Sequence, residues 1–157
     1  MIEQIYNYFS IEMIYLWLNL GVLPFWFMLL FFSQTKICKI FVTSVFPILV
    51  FAVVDLYLIF EIYNNGFNFL DSFNLYLSID ELINLFSDKS FVILFWIHFL
   101  AINLFCGSWI VRDYQKIGMP KSLAFFPIIL TYFIGPFGLL IYWLFRIFFS
   151  KRIDLYE

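Results

Sequence analysis

The sequence is poor in the residues that bind metals, form disulfides or carry charge. It has two cysteines and one histidine, and only 13% of its 157 residues are charged, about half the share in ordinary globular proteins. Cys38 and Cys106 have no metal-ligand spacing, so a structural zinc site and a haem held by two histidines are excluded. The net charge of −2 offers no basic excess to the phosphates of nucleic acids. We expect no metal, no cofactor and no nucleic-acid partner.

What the chain has instead is apolar surface. Hydrophobic residues make up 64% of the sequence, and the mean hydropathy is +0.96. A domain of 157 residues has too much surface for its volume to hide that many apolar side chains from water. The composition therefore predicts an integral membrane protein, with membrane lipid as its main partner, and excludes a soluble enzyme.

Four stretches are apolar over the roughly 20 residues that a helix needs to cross a membrane. They run over about 13–32, 40–62, 91–111 and 122–149. The strands of a membrane barrel would alternate apolar and polar residues, with a turn about every 10 residues, and these stretches do not. The sequence predicts one all-α transmembrane domain over residues 1–157, built as a four-helix bundle.

The link between the second and third stretches carries a further helix signal. Ser78 and Glu81 have the spacing of a capping box at the start of a helix. Apolar residues then recur with the spacing i, i+3, i+4, i+7 at Ile79, Leu82, Ile83 and Phe86. This pattern predicts a short amphipathic helix that lies in the membrane interface.

Positive charge gives the expected orientation, because the cytoplasmic loops of membrane proteins are enriched in Lys and Arg. With four crossings, the two short links carry five of these residues: Lys36, Lys39, Arg112, Lys116 and Lys121. The opposite side carries four: Lys89, Arg146, Lys151 and Arg152. The segment before the first stretch has none, so we expect both termini outside the cytoplasm.

Four polar side chains fall at one depth within the predicted helices. Counted from the side of the long link, Asn19, Asp55, His98 and Tyr142 all lie about 9–11 Å below the surface. Ionisable groups in lipid are costly and are functional candidates, so we expect one polar cavity in which Asp55 and His98 pair. Two alternatives stay open: Asp55 faces a water-filled vestibule, or the asparagines only hydrogen-bond across a helix pair. Asn103 lies about 7 Å deeper than His98 and faces a different neighbour.

The fourth stretch contains Gly135 and Pro136, followed by Gly138. Proline inside a helix removes a backbone hydrogen bond, and lipid tolerates this only where neighbouring groups satisfy the freed carbonyl. We therefore expect a kink at Pro136. Because glycine has no side chain, we also expect a close helix contact at Gly135 and Gly138.

Two motifs in the second half of the chain are distinctive: WIHFLAINLFCGSWI at residues 96–110 with Asp113 after it, and GPFGLLIY at residues 135–142 with Arg146 after it. Together they resemble the ABA-deficient-4-like family of small four-helix membrane proteins, and the resemblance runs over about residues 19–146. The family usually has Asp at the position of Asn103, and Asp55 is not one of its hallmarks.

The plant member of that family is required for making neoxanthin, an allenic xanthophyll, from violaxanthin. The resemblance therefore implies a protein that acts on or binds a carotenoid or another isoprenoid lipid. Conversion of an epoxide to an allenic alcohol is an isomerisation. It needs an acid for the departing oxygen and a base for a neighbouring proton, and no cofactor. His98 and Asp55 are the expected catalytic pair. The other residues expected to bind ligand or to shape the fold are Asn19, Asn103, Gly107, Gly135, Pro136, Gly138, Tyr142 and Arg146.

Other functions stay open. The chain holds 24 phenylalanines, which suit either plain lipid-facing packing or a groove for a flat conjugated ligand. A non-catalytic pigment-binding or assembly subunit of a membrane complex is the main alternative to an isomerase. A transporter has less support, because four helices without a repeat give little to build alternating access from. Self-association into a homo-oligomer is left open, and we expect the protein in a bacterial inner membrane or a photosynthetic membrane.

Overall fold

The computed structural model describes residues 9–66 and 78–150. Within these ranges the chain is helical and contains no strand, which confirms the predicted all-α class. The helices described there are α1 (Ile11–Phe31), α2 (Lys36–Phe41), α3 (Phe46–Asn64), α4 (Ile79–Leu85), α5 (Lys89–Lys116), α6 (Lys121–Phe133) and α7 (Gly135–Arg146).

Three helical segments are long and apolar enough to cross a membrane: Ile11–Phe31, Lys36–Asn64 and Lys89–Lys116. They correspond to the first three predicted stretches, and the second of them combines α2 and α3. Their exposed side chains include Trp17, Val53 and Phe105. Helices that present apolar side chains outward as well as inward are typical of segments surrounded by lipid.

The predicted amphipathic helix is present as α4, and Ser78 sets its start. The Ser78 hydroxyl accepts the Asp80 backbone N–H at 3.2 Å, which satisfies one of the N–H groups that a helix start leaves unpaired. Ile79 and Ile83 are exposed. The apolar side of α4 therefore faces outward, as a helix in the membrane interface requires.

The fourth apolar stretch differs from the prediction. Instead of one kinked helix over residues 122–149, it forms two helices, α6 and α7, with Ile134 between them. The cause is Pro136, which has no N–H to continue α6 and whose ring would collide with the carbonyl of Tyr132 four residues earlier. Ile134 leaves the helical region, with φ −143° and ψ 83°.

Helices α6 and α7 form an antiparallel hairpin along α5. The hairpin starts at Lys121, shortly after α5 ends, and at its other end Arg146 binds Asp113 in the last turns of α5. Its tip reaches Asn103, whose side-chain amide donates to the Tyr132 carbonyl at 3.3 Å. Asn103 and Asp113 are ten residues apart on α5, or about 15 Å. The hairpin therefore extends about 15 Å along α5, and α7 runs back to the level of Asp113.

This hairpin changes the orientation expected from the charges. The start of α6 lies at the end of α1, because the Lys121 ammonium donates to the Phe31 carbonyl at 2.9 Å. Arg146 returns to the same end of α5, beside Asp113. The fourth stretch therefore starts and ends at one end of α5, whereas the orientation expected from the charges required it to cross the membrane once. Lys151 and Arg152, which also entered that expectation, lie outside the described residues.

The described chain packs into two compact units, called here units A and B. Unit A comprises the described parts of Met1–Leu20 and Leu49–Phe99. Three of its helices bury pairs of side chains four residues apart, which share one helix face: Ile14 and Leu18, Leu58 and Ile62, Ile93 and Ile97. Unit B comprises the described parts of Gly21–Ile48 and Leu100–Glu157, and its largest buried side chains include Leu29, Leu104, Ile110, Tyr114, Ile128 and Tyr142.

Candidate functional site

In unit A the structure brings Asp55 and His98 together. The Nε2 atom of His98 on α5 lies 3.4 Å from the Oδ2 atom of Asp55 on α3. His98 comes nine residues after the start of α5 at Lys89, and Asp55 comes nine residues before the end of α3 at Asn64. Each residue therefore lies about 13–14 Å along its helix. Because the two residues are equally far from the helix ends next to the long link, the sequence predicts the same membrane depth for both.

The second ring nitrogen determines how a proton is shared in this pair. His98 Nδ1 lies 2.8 Å from the Leu94 backbone carbonyl, which only accepts, so Nδ1 carries a hydrogen. Nε2 then carries a hydrogen only when the ring is an imidazolium. The contact with Asp55 is favourable in two forms: imidazolium with carboxylate, or neutral imidazole with carboxylic acid. Either form holds one proton between the two side chains and has no net charge.

The pair lies at the surface of unit A rather than in its core. The His98 side chain is 56% exposed and the Asp55 side chain is 19% exposed. Because α5 is an apolar helix of membrane-crossing length, the exposed imidazole faces the space that lipid would occupy. The Oδ1 atom of Asp55 is buried and has no hydrogen-bond partner among the described residues. Buried polar atoms in proteins are usually hydrogen-bonded. A buried carboxylate oxygen without a described partner is therefore unusual in a pair that has only a structural role.

Asn19 lies in the same unit, but its hydrogen bonds go elsewhere. Its side-chain oxygen accepts the indole N–H of Trp96 at 3.2 Å, and its amide donates to the Tyr15 carbonyl one turn earlier at 2.7 Å. The Tyr15 and Trp96 rings also contact each other, with centroids 6.1 Å apart. These contacts fit the alternative in which Asn19 hydrogen-bonds across a helix pair.

Tyr142 is not placed where the depth count put it. It is fully buried in unit B, and its hydroxyl donates to Asp113 Oδ2 at 2.6 Å. Tyr142 therefore belongs to a polar cluster of unit B, whereas Asp55 and His98 pair in unit A. The count assumed one continuous fourth helix, whereas α7 runs back in the opposite direction to α6.

Asp113 is the centre of a buried polar cluster that joins α5 to α7. Arg146 Nε lies 2.7 Å from Asp113 Oδ2 and Arg146 Nη2 lies 3.3 Å from Asp113 Oδ1, so the guanidinium contacts both carboxylate oxygens. The Arg146 guanidinium also lies 4.8 Å from the centre of the Trp143 ring, which is a favourable cation–π distance. The Asp113 and Arg146 side chains are only 10% and 6% exposed. Because its charges cancel and both carboxylate oxygens are bonded, the cluster is suited to fastening the hairpin rather than to chemistry.

Asn103 supports the tip of the hairpin. Pro136 deprives the Tyr132 carbonyl of its usual donor, because a proline has no N–H to give to the residue four positions earlier. The Asn103 amide supplies that donor at 3.3 Å, and the Asn103 side chain is buried. A carboxylate has no hydrogen to donate. An amide at this position therefore meets a need of the backbone that an ionised Asp would leave unmet.

The motif glycines are positions of close approach. A Cβ on Gly107 would lie 2.8 Å from the Trp26 ring, a Cβ on Gly135 would overlap the Asn103 side chain, and a Cβ on Gly138 would overlap the backbone of Thr131. The contact between Gly138 and Thr131, seven residues apart, is possible only because α6 and α7 fold back on each other. The expected close helix contact at Gly135 and Gly138 is therefore present.

Gly138→Ala is expected to destabilise the protein by roughly 1–3 kcal/mol, because the added methyl group meets backbone that cannot rotate away. Gly21→Ala is the matched control, since a Cβ there meets nothing within 4 Å and alanine favours the helix. Thermal unfolding in detergent should separate the two variants. Equal melting temperatures for Gly138→Ala and the parent would contradict the close contact.

Asp113 is not among the site residues expected from the sequence. The third apolar stretch, at about 91–111, ends before Asp113, whereas α5 continues to Lys116. A signal was available in the spacing of the motifs. Trp109 and Asp113 are four residues apart, as are Tyr142 and Arg146, so each pair lies on one helix face. Trp109 and Tyr142 indeed contact each other, with ring centroids 5.8 Å apart.

Comparison with known proteins identifies a family. A family model described as ABA DEFICIENT 4-like matches residues 13–142. His98, Asn103, Asp113 and Tyr142 fall inside the matched range, and Arg146 lies just beyond it. No curated protein and no solved structure matches the chain.

Proposed function

Because the chain belongs to the ABA DEFICIENT 4-like family, we propose that it acts on a carotenoid or related isoprenoid lipid, with His98 and Asp55 as its acid–base pair. The observation that carries this proposal is the 3.4 Å contact between His98 Nε2 and Asp55 Oδ2 at a membrane-facing surface. We place the protein in a bacterial inner membrane or a photosynthetic membrane, where such lipids are dissolved.

The other residues of the two motifs have a structural account, and His98 does not. Asn103, Pro136 and Gly138 build the tip of the hairpin, while Tyr142 and Arg146 fasten it to α5 through Asp113. The His98 side chain is 56% exposed, and its polar contacts are with Asp55 and the Leu94 carbonyl. A costly polar side chain that faces lipid without a packing role supports a functional one.

The chemistry that this pair supports is an isomerisation of an epoxide-bearing lipid. The imidazolium gives its Nε2 proton to the epoxide oxygen as a carbon–oxygen bond breaks, which yields a hydroxyl group. The Asp55 carboxylate takes a proton from a carbon next to the opened ring, and the electrons of that carbon–hydrogen bond form the new double bond. Transfer of the proton from Asp55 back to His98 then restores the pair. No redox partner enters, and a positioned pair of this kind accelerates proton transfer by about 10²–10⁴.

The family usually has Asp at the position of Asn103, and this departure favours a second candidate function. The Asn103 amide donates to the Tyr132 carbonyl and neither releases nor takes up a proton at neutral pH. If the reaction needs that carboxyl group, the chain is a non-catalytic pigment-binding or assembly subunit of a membrane complex, and His98 then contacts the pigment without transferring protons.

His98→Gln is expected to abolish conversion of an epoxy-carotenoid while leaving the protein folded. Glutamine keeps a hydrogen-bonding side chain of similar reach but cannot release or take up a proton at neutral pH. The parent and the variant are expressed in a bacterial host that makes violaxanthin, and the membrane pigments are identified by chromatography and mass spectrometry. We expect at least a hundredfold loss of product. Asn64→Gln changes an exposed amide on α3 in the same unit; it is the matched control and should retain the product.

The outcomes separate the two functions. Unchanged conversion of violaxanthin by the His98→Gln variant would refute the acid–base proposal. A parent that co-purifies with pigment without converting it would favour the binding subunit, and His98→Gln should then change the amount or the absorbance of the bound pigment. A parent that neither converts nor binds a carotenoid would refute both.

A further inference from the structure

In unit B, one end of the helices carries exposed positive charge. We call it the basic end and define it by Lys36, Lys39, Arg112, Lys116 and Lys121. The first four of these residues are exposed, and Lys121 is partly buried. Within the described part of unit B the only carboxylate is that of Asp113, which is buried and held by Arg146. No described acid of unit B is therefore left to balance the charges of Lys36, Lys39 and Arg112.

Hydrogen bonds hold the segments of the basic end together. The Ser33 hydroxyl lies 2.7 Å from the Tyr114 hydroxyl, and the Gln115 amide donates to the Ser33 carbonyl at 3.0 Å. These bonds attach the link before α2 to the last turn of α5. The bond from Lys121 to the Phe31 carbonyl attaches the start of α6 to the same place. The five cations are thus presented by a fixed scaffold.

Apolar side chains are interleaved with the cations on α2. Ile37, Ile40 and Phe41 are 61%, 61% and 46% exposed, and they alternate with the exposed Lys36 and Lys39. A purely aqueous partner would gain nothing from these apolar groups. The boundary between lipid headgroups and acyl chains accommodates both kinds of side chain at once, because apolar groups enter the acyl layer while ammonium groups reach the phosphates.

We propose that the basic end binds the headgroups of anionic phospholipids. Juxtamembrane clusters of Lys and Arg are attracted to the negative surface of a membrane, and each cation near the surface adds to the attraction. The fixed scaffold and the exposed apolar side chains favour lipid over a soluble anion. The inference does not depend on the reaction proposed above, because it concerns a different unit of the chain.

The test measures lipid retention by native mass spectrometry. The purified parent in detergent is mixed with equal amounts of phosphatidylglycerol and phosphatidylcholine that have identical acyl chains. We expect the parent to retain phosphatidylglycerol selectively. A variant with Lys36→Gln, Lys39→Gln and Arg112→Gln should bind it at least about tenfold more weakly. Lys89→Gln removes the cation at the other end of α5 and serves as the matched control for the single Lys36→Gln variant.

Each result decides the proposal. Selective retention that falls in the glutamine variants, stays in Lys89→Gln, and returns when Lys36 and Lys39 are replaced by arginine supports it. Equal retention of the two lipids by the parent, or unchanged retention by the triple variant, overturns it. So does displacement of phosphatidylglycerol by an equal concentration of inorganic phosphate, because the site would then recognise a free anion and not a lipid.

Discussion

Arg146→Met is expected to destabilise the protein by roughly 3–5 kcal/mol, the cost of leaving one member of a buried ion pair without its partner. Asp113 would lose two guanidinium contacts, of 2.7 and 3.3 Å, and keep the Tyr142 hydroxyl at 2.6 Å. The carboxylate has little access to solvent, since its side chain is 10% exposed. Thermal unfolding in detergent, followed by circular dichroism, measures the effect.

Two further variants show whether the cost comes from the unpaired charge. In Asp113→Asn with Arg146→Met neither side chain is charged, so part of the lost stability should return. Lys89→Met breaks an exposed pair of similar length, Lys89 Nζ to Glu12 Oε1 at 3.0 Å, and should leave the melting temperature unchanged because solvent screens that pair. A parent-like melting temperature for Arg146→Met would show that the cluster does not hold the hairpin.

Reporters fused after Lys116 and after Glu157 are expected to lie on the same side of the membrane, in the cytoplasm. The hairpin rises about 15 Å along α5, which is half of a hydrocarbon core of about 30 Å, so it enters the membrane without crossing it. Irregular backbone at that depth survives only when protein groups satisfy it, and Asn103 supplies the donor for the Tyr132 carbonyl.

The distribution of charge supports this orientation strongly. Six described cations lie at the end of α5 where the hairpin begins and ends: Lys36, Lys39, Arg112, Lys116, Lys121 and Arg146. The sequence adds Lys151 and Arg152 directly after the described residues. Lys89 is the only described cation at the start of α5. Four crossings divide the nine cations almost evenly, whereas three crossings and a hairpin give the asymmetry that cytoplasmic loops show.

Two reporter proteins show on which side of the membrane each fusion point lies, because each is active on one side and inactive on the other. Green fluorescent protein folds and fluoresces in the cytoplasm, and alkaline phosphatase is active only outside it. Fusions after Lys116 and Glu157 should both fluoresce and lack phosphatase activity. A fusion after Gly66, at the end of α3, is the control and should show the reverse. Opposite results for Lys116 and Glu157 would mean that α6 and α7 together cross the membrane, and the re-entrant hairpin would be refuted.

The sequence by itself determined that the protein folds in a membrane, and it determined most of the helices. The apolar fraction of 64% requires lipid, and the lengths of the apolar stretches give three membrane-crossing helices. The capping pattern at Ser78 gives α4. The equal depth of Asp55 and His98 also follows from sequence, because a helix rises by a constant amount per residue. Residues at equal distances from one end of two neighbouring helices therefore lie at one depth.

Only the tertiary structure decided the direction of α7 and, with it, the places of Tyr142, Arg146 and Asp113. A proline in a helix fixes where hydrogen bonding stops, but it does not fix the direction of the chain that follows. That direction depends on contacts between distant residues: Arg146 with Asp113, and Asn103 with the Tyr132 carbonyl. The sequence shows each of these residues, but their pairing is a property of the packed helices, since local spacing carries no information about which distant partner a buried polar group will meet.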